Sequence, residues 1–218
     1  MTSFMELLYS IPVSRASANS ICWQPTSRKE FEVKSLYHVL HSPTQPLFPW
    51  RTVWKSWVPS KVAFFVWTAA LDKILTTDNL RERGVIIMDW CCHCRLAGES
   101  ISHLLLNCSG AQDLWNLVFS LFGVSWVMPR NVVDLLNCWQ GRVGRSKVGV
   151  IWKAMPLCLM WCLWSERNSR IFKGEEKTIP MLKYTFLQLL FEWLKASPSV
   201  SFNFVLDMLD YCSLWLLL

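Results

Sequence analysis

Residues 91–108 concentrate side chains that bind metal ions, because four cysteines and two histidines lie in this short stretch. Four of them follow the pattern C-x2-C-x8-H-x4-C: Cys91, Cys94, His103 and Cys108. Thiolates and imidazoles are preferred ligands of Zn²⁺, and two cysteines separated by two residues form a tight knuckle that grips one side of a tetrahedral ion. Since four protein ligands leave no open coordination position, the pattern predicts a structural rather than a catalytic zinc site.

The ligand register is not unique in the sequence alone. Cys92 and His93 offer alternative ligands, and scattered Cys and His also arise by chance in a chain with nine cysteines. We select the set above on the C-x2-C spacing, which leaves Cys92 as a free thiol and His93 as an exposed residue of the knuckle. Cys92 beside His93 is not expected to be a nucleophile–base pair, because adjacent side chains seldom face each other.

The five remaining cysteines lie singly in apolar surroundings, as core thiols do. They are Cys22, Cys138, Cys158, Cys162 and Cys212. The odd total and a first stretch with Glu6 and no basic residue give no sign of secretion, so a disulfide framework is not expected. We therefore predict an intracellular protein, nuclear or cytoplasmic and not secreted, in which metal binding explains the clustered thiols.

The elements that must position the cluster have helical patterns. Of the 218 residues, 52% are hydrophobic and 17% are charged, which supplies a sizeable core and excludes a disordered polyampholyte. A short alternation at Phe31 and Val33 predicts a strand. Apolar residues elsewhere recur at helical spacing, and helices are predicted to begin near Ser60, Thr77, Ser109, Asn131, Val150 and Ile179. The predicted fold class is mainly α: a small helical domain built around a zinc knuckle, followed by long C-terminal helices.

Motifs in and around the cluster resemble a known family. The cluster itself carries Arg83-Gly84, Cys91-x2-Cys94, Glu99-Ser100, His103-Leu-Leu-Leu, Cys108, Ala111 and Leu114-Trp115. Upstream are Trp23, Phe31-x-Val33-Lys34-Ser35-x-Tyr37, Trp54, Trp57, Pro59-x-Lys61, Phe64-Phe65-x-Trp67 and Thr77-x-Asn79-Leu80, and downstream is Trp161-x-Leu-Trp164-x-Glu-Arg167-Asn168-x-Arg170-Ile171-Phe172. Together they resemble the zinc-binding domain found downstream of plant LINE-type (non-LTR) reverse transcriptases. Glu30 departs from the family, which has a small residue there, and the acidic residue usual shortly before Trp23 is absent.

The resemblance implies four segments in the chain. They are an N-terminal remnant (1–21), a reverse-transcriptase-type zinc-binding domain (22–125), a C-terminal helical segment (126–198) and an apolar tail (199–218). It also implies a piece of a retrotransposon polyprotein, or a gene descended from one, whose longer parent protein carries a reverse transcriptase or ribonuclease H module. The sequence has no Tyr-x-Asp-Asp polymerase motif and no array of carboxylates for two-metal ribonuclease H chemistry. We therefore expect one structural Zn²⁺, no enzyme activity and no small-molecule substrate.

Basic side chains near the cluster and in the long helix make RNA or DNA a candidate partner. The 22 Lys and Arg against 16 Asp and Glu give a net charge of +6, which permits an anionic partner without demanding one. The predicted contact residues are Arg81, Arg83, Arg95, Arg142, Arg145, Lys147, Arg167 and Arg170. The alternative is a solvated face neutralised by neighbouring glutamates. Under this alternative, the chain is a zinc-stabilised helical domain that binds protein, or a non-functional retroelement fragment.

Tryptophan is unusually abundant, with 14 residues. Six of them fall at helical core spacing, which favours packing over base stacking: Trp54, Trp57, Trp67, Trp115, Trp161 and Trp164. The apolar tail is interrupted by Asp207 and Asp210. Because an acidic residue at the centre of a bilayer is costly, we predict a buried helix or a ragged end there and no membrane span.

Overall fold

The computed structural model of the chain describes residues 22–24, 26–40, 48–139, 147–197, 200 and 202–213. The chain divides into two compact units, Met1–Leu47 and Phe48–Leu218. All regular secondary structure in the described part is helical, which confirms the predicted fold class. The second unit contains the whole metal-binding stretch, and the boundaries predicted after residues 125 and 198 fall inside it.

The first unit contains helix α1, Val33–Leu40. The ring nitrogen of Trp23 donates a 2.6 Å hydrogen bond to Ser35 Oγ, and the Trp23 ring packs edge-on against Phe31 at 5.2 Å between centroids. The strand predicted at Phe31 and Val33 is wrong, because Phe31 packs on an aromatic ring and Val33 begins a helix. The predicted N-terminal remnant, residues 1–21, lies outside the described residues.

The second unit is a succession of helices joined by short connections. They are α2 (Trp50–Trp54), α3 (Ser60–Ala70), α4 (Thr77–Glu82), a π-helical turn (His103–Asn107), α5 (Ser109–Leu121), α6 (Val132–Cys138), α7 (Lys147–Lys173), α8 (Ile179–Lys195) and α9 (Val205–Ser213). Their ends follow local sequence signals. Gly84 ends α4 with φ of +81°, a conformation that glycine adopts at no steric cost. Asn131 caps α6 by accepting a 2.8 Å hydrogen bond from the Asp134 amide.

Helix α7 is the central helix of this unit, with α3, α5, α8 and the π-helical turn packed around it. By length and composition it could cross a membrane, with a mean hydropathy of 1.4 in its most apolar window. However, 72% of that window is buried inside the fold, as in a core helix. Its thiols Cys158 and Cys162 face α8, and burial raises the pKa of Cys162 to about 12. The prediction of core thiols holds for these two and for Cys212, whereas Cys22 and Cys138 are exposed.

Aromatic rings fill the core between α5, α6 and α7. Trp139 and Trp152 stack at 4.2 Å between centroids, and Trp115 packs edge-on against Trp139. The Trp115 ring nitrogen donates to the Leu105 carbonyl at 2.9 Å, which ties this cluster to the π-helical turn. The six tryptophans predicted to lie in the core divide into three classes. Trp115 is buried, Trp67, Trp161 and Trp164 are half-buried, and Trp54 and Trp57 are exposed, which corrects the prediction for the last two.

The C-terminal tail contributes helix α9, whose Met208 and Cys212 are buried. Asp207, in the first turn of this helix, accepts hydrogen bonds at 3.1 Å from the amides of Asn203 and Phe204, which precede it. Helix α9 packs against α8 and α5. The predicted helix is present over Val205–Ser213, but it is buried on one side only, since Leu206 and Tyr211 are exposed. Residues 214–218 lie outside the described part.

A buried ion pair joins the metal-binding stretch to α7. Arg167 Nη2 lies 2.8 Å from Glu99 Oε1, and the two side chains are only 4% and 0% exposed. Glu99 also accepts a hydrogen bond from the Thr77 amide, and Arg167 donates to the Leu75 carbonyl. Because each buried charge is neutralised and hydrogen-bonded by the other, neither residue can be lost alone without leaving an uncompensated charge.

We expect Glu99→Ala and Arg167→Ala each to reduce the free energy of unfolding by about 3–5 kcal/mol, the usual cost of leaving one buried charge unpaired. Arg81→Ala is the matched control, because its ion pair with Asp89 is 52% and 36% exposed and solvent screening limits such pairs to about 1 kcal/mol or less. Urea unfolding of the full chain measures both. If Arg167→Ala cost no more than Arg81→Ala, the buried pair would not be stabilising the fold.

Candidate metal centre

The first half of the candidate centre is a tight turn that presents Cys91 and Cys94. The Cys91 amide donates to the Ala97 carbonyl at 2.7 Å, and the Arg95 amide donates to the Cys91 carbonyl at 2.8 Å. Arg95 has a φ of +56°, the left-handed conformation that reverses the chain here. The amides of His93 and Cys94 donate to the Cys91 sulfur. The backbone therefore folds around the Cys91 sulfur and directs polar hydrogens toward it.

The second half is the π-helical turn His103–Asn107, followed by Cys108. The Cys108 amide donates to the His103 carbonyl at 2.7 Å, which closes a loop between residues five positions apart. Such turns recur at functional sites, where they bring residues i and i+5 close together. The three leucines inside the turn are fully buried and anchor it in the core: Leu104, Leu105 and Leu106. The turn therefore brings His103 and Cys108 to the same side.

The two halves meet, and the four predicted side chains form one cluster. Their ligand atoms all lie within 4.8 Å of one another. The Cys91 and Cys108 sulfurs are 3.8 Å apart, and the Cys94 sulfur is 3.3 Å from His103 Nε2. With Zn–S bonds of about 2.3 Å and Zn–N bonds of about 2.0–2.1 Å, a tetrahedral site has S···S edges of about 3.8 Å and S···N edges of about 3.6 Å. The cluster has the donor set and the dimensions of a metal site.

The protonation of the thiols favours a cation at this point. The hydrogen bond between Cys91 and Cys108 raises the pKa of Cys91, and burial raises it further. The same hydrogen bond lowers the pKa of Cys108; burial opposes this shift, and the Gly110 amide at the start of α5 adds to it, so the pKa lies below its usual value. Of the two thiols, Cys108 is therefore the easier to deprotonate, and a bound metal ion would take the place of the proton that the pair shares.

The alternative ligands in the sequence point away from the cluster. The Cys92 sulfur lies 4.0 Å from the Arg167 carbonyl oxygen, and burial raises the pKa of Cys92 to about 12. His93 is half-buried rather than exposed as predicted, and its ring lies near Gly110. Burial lowers the pKa of His93 to about 4, so its imidazole is neutral at pH 7. Neither residue shares the cluster of four.

Two of the predicted nucleic-acid contacts are used inside the fold. Arg167 holds Glu99, and Arg170 is 10% exposed and donates to Glu166 at 2.8 Å, to Glu176 at 2.9 Å and to the Cys92 carbonyl at 3.1 Å. Burial acts to raise the pKa of Glu166, but hydrogen bonds from the Lys177 amide and Arg170 outweigh it, so the pKa lies below its usual value. Contact of Arg167 and Arg170 with nucleic acid stays a prediction, and the internal partners of both guanidinium groups argue against it.

The other predicted contacts lie at the surface, except for Arg142 and Arg145, which lie outside the described residues. Arg81 and Arg95 are exposed but paired with carboxylates, Arg81 with Asp89 at 2.8 Å and Arg95 with Glu176 at 2.7 Å. Arg83 is exposed, and Lys147 is exposed with its ammonium 5.9 Å from the centre of the Tyr211 ring.

Three residues that hydrogen-bond one another beside the metal-binding stretch were not predicted from the sequence to do so: Glu99, Thr77 and Asp89. Glu99 carried a signal, since it lies two residues before Ile101 and close to the Leu104–Leu106 run, all of which are buried.

Residues 31–115 match the family model described as zinc-binding in reverse transcriptase. The matched segment contains all four residues of the cluster and lies within the zinc-binding domain predicted over residues 22–125. In Arabidopsis thaliana, the protein named "Putative ribonuclease H protein" is 22% identical to this chain over 178 residues. The alignment covers 75% of this chain and 27% of that relative, so the chain spans about a quarter of its length. No solved structure matches the chain.

Cys92 and His93 lie next to the predicted ligands and have the same side-chain types, so substitutions there provide controls for the choice of ligands. We expect Cys94→Ser and His103→Ala to lose bound metal, since each removes one donor of the cluster, whereas Cys92→Ser and His93→Ala keep one metal ion per chain. Elemental analysis of the purified full-length variants gives the stoichiometry. Retention of metal in Cys94→Ser together with its loss in Cys92→Ser would show that the register is shifted.

Proposed function

We propose that this chain is a structural zinc-binding module derived from a plant LINE-type (non-LTR) retrotransposon reverse transcriptase polyprotein, that it assists nucleic-acid binding, and that it is not an enzyme by itself. The observation that carries this proposal is the closed cluster of three sulfurs and one imidazole nitrogen within 4.8 Å. The match of residues 31–115 to a zinc-binding domain of reverse transcriptases supports the same assignment.

The residues that would hold the ion are Cys91, Cys94, His103 and Cys108. Three thiolates and one imidazole suit Zn²⁺ in a tetrahedral structural site, in which the protein supplies every ligand. When bound, Zn²⁺ supplies folding free energy rather than chemistry. In this chain it would hold the Cys91 turn to the π-helical turn, where weak hydrogen bonds of the thiols already join Cys91 to Cys108 and Cys94 to His103.

RNA or DNA is the proposed partner, together with a reverse transcriptase or ribonuclease H module in a longer parent protein. The support is the net charge of +6, the exposed Arg83 and Lys147, and a relative that is named as a ribonuclease H protein. The reduced thiols fit an intracellular location, nuclear or cytoplasmic. Neither a small-molecule substrate nor a membrane is part of the proposal.

A second candidate is a zinc-stabilised domain that binds protein. The observation that favours it lies beside the knuckle, where residues 85–90 expose several apolar side chains while Arg81 and Arg95 are neutralised by carboxylates. An exposed apolar stretch with paired charges suits a protein surface better than a phosphate backbone. A non-functional retroelement fragment is the remaining alternative.

Salt dependence separates the two candidates. We expect the zinc-loaded full chain to bind a labelled single-stranded RNA or DNA with an affinity that falls steeply with salt, with a log–log slope of about −0.7 for each phosphate contacted. Removal of zinc by a chelator should weaken binding, because the folded fraction falls. Fluorescence anisotropy at several salt concentrations measures both effects. Binding that is absent, or that does not change with salt, would contradict the nucleic-acid assignment and favour a protein partner.

A further inference from the structure

Four large aromatic side chains near the start of the second unit are exposed, although the core was predicted for two of them, Trp54 and Trp57. They lie on α2, on the following connection and on the first turns of α3, and they are 44–58% exposed: Trp50, Trp54, Trp57 and Phe64. Tryptophan and phenylalanine bury large apolar areas in most folds, so a group of four at the surface needs a reason.

The exposure follows from how the two helices sit on the core. In α2, Thr52 and Val53 are buried, so Trp50 and Trp54, one turn apart, lie on the outer side. In α3 the buried residues include Val62 and Val66, which turns Lys61 and Phe64 outward. The Phe64 ring contacts Trp67 at 5.4 Å between centroids. The rings therefore face outward because other residues of the two helices already fill the inner, buried faces.

The segment that carries the rings is anchored. Helices α2 and α3 pack against each other, and α3 packs against α7. Between the helices, Ser56 Oγ donates to the Thr52 carbonyl and, at 3.3 Å, to the Lys153 carbonyl on α7. A ring held on an anchored helix loses little conformational entropy when another flat group stacks on it.

The charges of this segment have one sign. Residues 48–71 contain Arg51, Lys55 and Lys61 and no Asp or Glu. All three cations are exposed, and in the described part of the chain none forms a salt bridge, although the Lys61 ammonium lies 5.5 Å from the centre of the Trp161 ring. Arg81 and Arg95, by contrast, are each paired with a carboxylate. This segment therefore combines exposed aromatic rings with cations that have no carboxylate partner in the described part of the chain.

We propose that this aromatic–basic surface, defined by Trp50, Trp54, Trp57, Phe64, Lys55 and Lys61, binds single-stranded nucleic acid. Unpaired bases stack on the exposed rings, and Lys55 and Lys61 contact the phosphates, the combination that single-strand binders use. The proposal rests on the proposed function for the class of partner, and it adds the location of the surface and the preference for unpaired strands.

Two considerations favour this occupant over a protein. Lysine is depleted at the centres of protein–protein interfaces, whereas Lys55 and Lys61 lie within the same segment as the exposed rings. A flat ring offers a face to an unpaired base, but a duplex presents stacked bases only at their edges. The surface should therefore distinguish single strands from duplexes more sharply than a purely basic surface does.

The test uses the zinc-loaded full chain and fluorescein-labelled single strands of RNA and DNA, with a duplex of the same length alongside. We expect single strands to bind more tightly than the duplex, and Trp54→Ala/Trp57→Ala to weaken binding about ten-fold or more, the effect typical of losing stacked bases. Tyr184→Ala/Phe172→Ala is the matched control, because it removes two exposed aromatics elsewhere and should leave affinity unchanged. Trp54→Phe/Trp57→Phe should retain most of the binding, since phenylalanine keeps a stacking face.

The charges are tested separately. Lys55→Gln/Lys61→Gln should reduce the magnitude of the log–log salt slope by about 1.4, which is two contacts at about 0.7 each. Lys173→Gln/Lys195→Gln, which removes two exposed lysines elsewhere, should leave the slope unchanged. Zinc content and far-UV circular dichroism establish that each variant is folded, and the phenylalanine pair provides a comparison that does not depend on the alanine pair folding.

The outcomes separate this inference from the proposed function. Loss of binding in the alanine pair with retention in the phenylalanine pair and in the aromatic control supports the surface, whether RNA or DNA binds more tightly. Normal binding by the alanine pair, or equal affinity for duplex and single strands, overturns the surface and leaves the proposed function standing. A wild-type chain that binds no nucleic acid overturns both.

Discussion

The buried ion pair between Glu99 and Arg167 is the constraint on which the rest of the structure depends. Two charges that are almost wholly removed from water must stay together, and they belong to elements far apart in the chain. Glu99 lies between the Cys94 turn and the π-helical turn, whereas Arg167 lies near the end of α7. Their pairing fixes the metal-binding stretch against the central helix, and the core continues across the contact. The metal cluster and the C-terminal helices thus form one structure.

This continuity gives zinc a role beyond the knuckle. The cluster joins two short segments that have little regular structure, and the leucines of the π-helical turn carry that constraint into the core around α7. Arg170 adds a second connection, since it reaches the Cys92 carbonyl from the same helix. Metal-binding free energy is folding free energy when the site does not exist in the unfolded chain. It is therefore expected to stabilise α7 and α8 as well as residues 91–108.

The sequence predicted the cluster and most helices because both depend on local spacing. The C-x2-C-x8-H-x4-C pattern and the glycine that ends α4 are examples. The sequence predicted burial poorly where the same local pattern can occur either in the core or at the surface. Arg167 has the charge of a surface residue, and its burial depends on its pairing with Glu99, 68 positions away. Trp54 has core-like spacing, but α2 is anchored by Thr52 and Val53 instead. The π-helical turn has no spacing signal, because it inserts one residue into a helical pattern.

The most direct test of the account is hydrogen–deuterium exchange of the zinc-loaded full chain before and after a chelator removes the metal, read segment by segment. If zinc stabilises one continuous core, amide protection should fall in the middle of α7 together with residues 91–108, because both belong to one cooperative unit. Loss of protection confined to residues 91–108, with α7 as slow to exchange as before, would contradict the account. The knuckle would then be an independent structure attached to a helical core that folds without it.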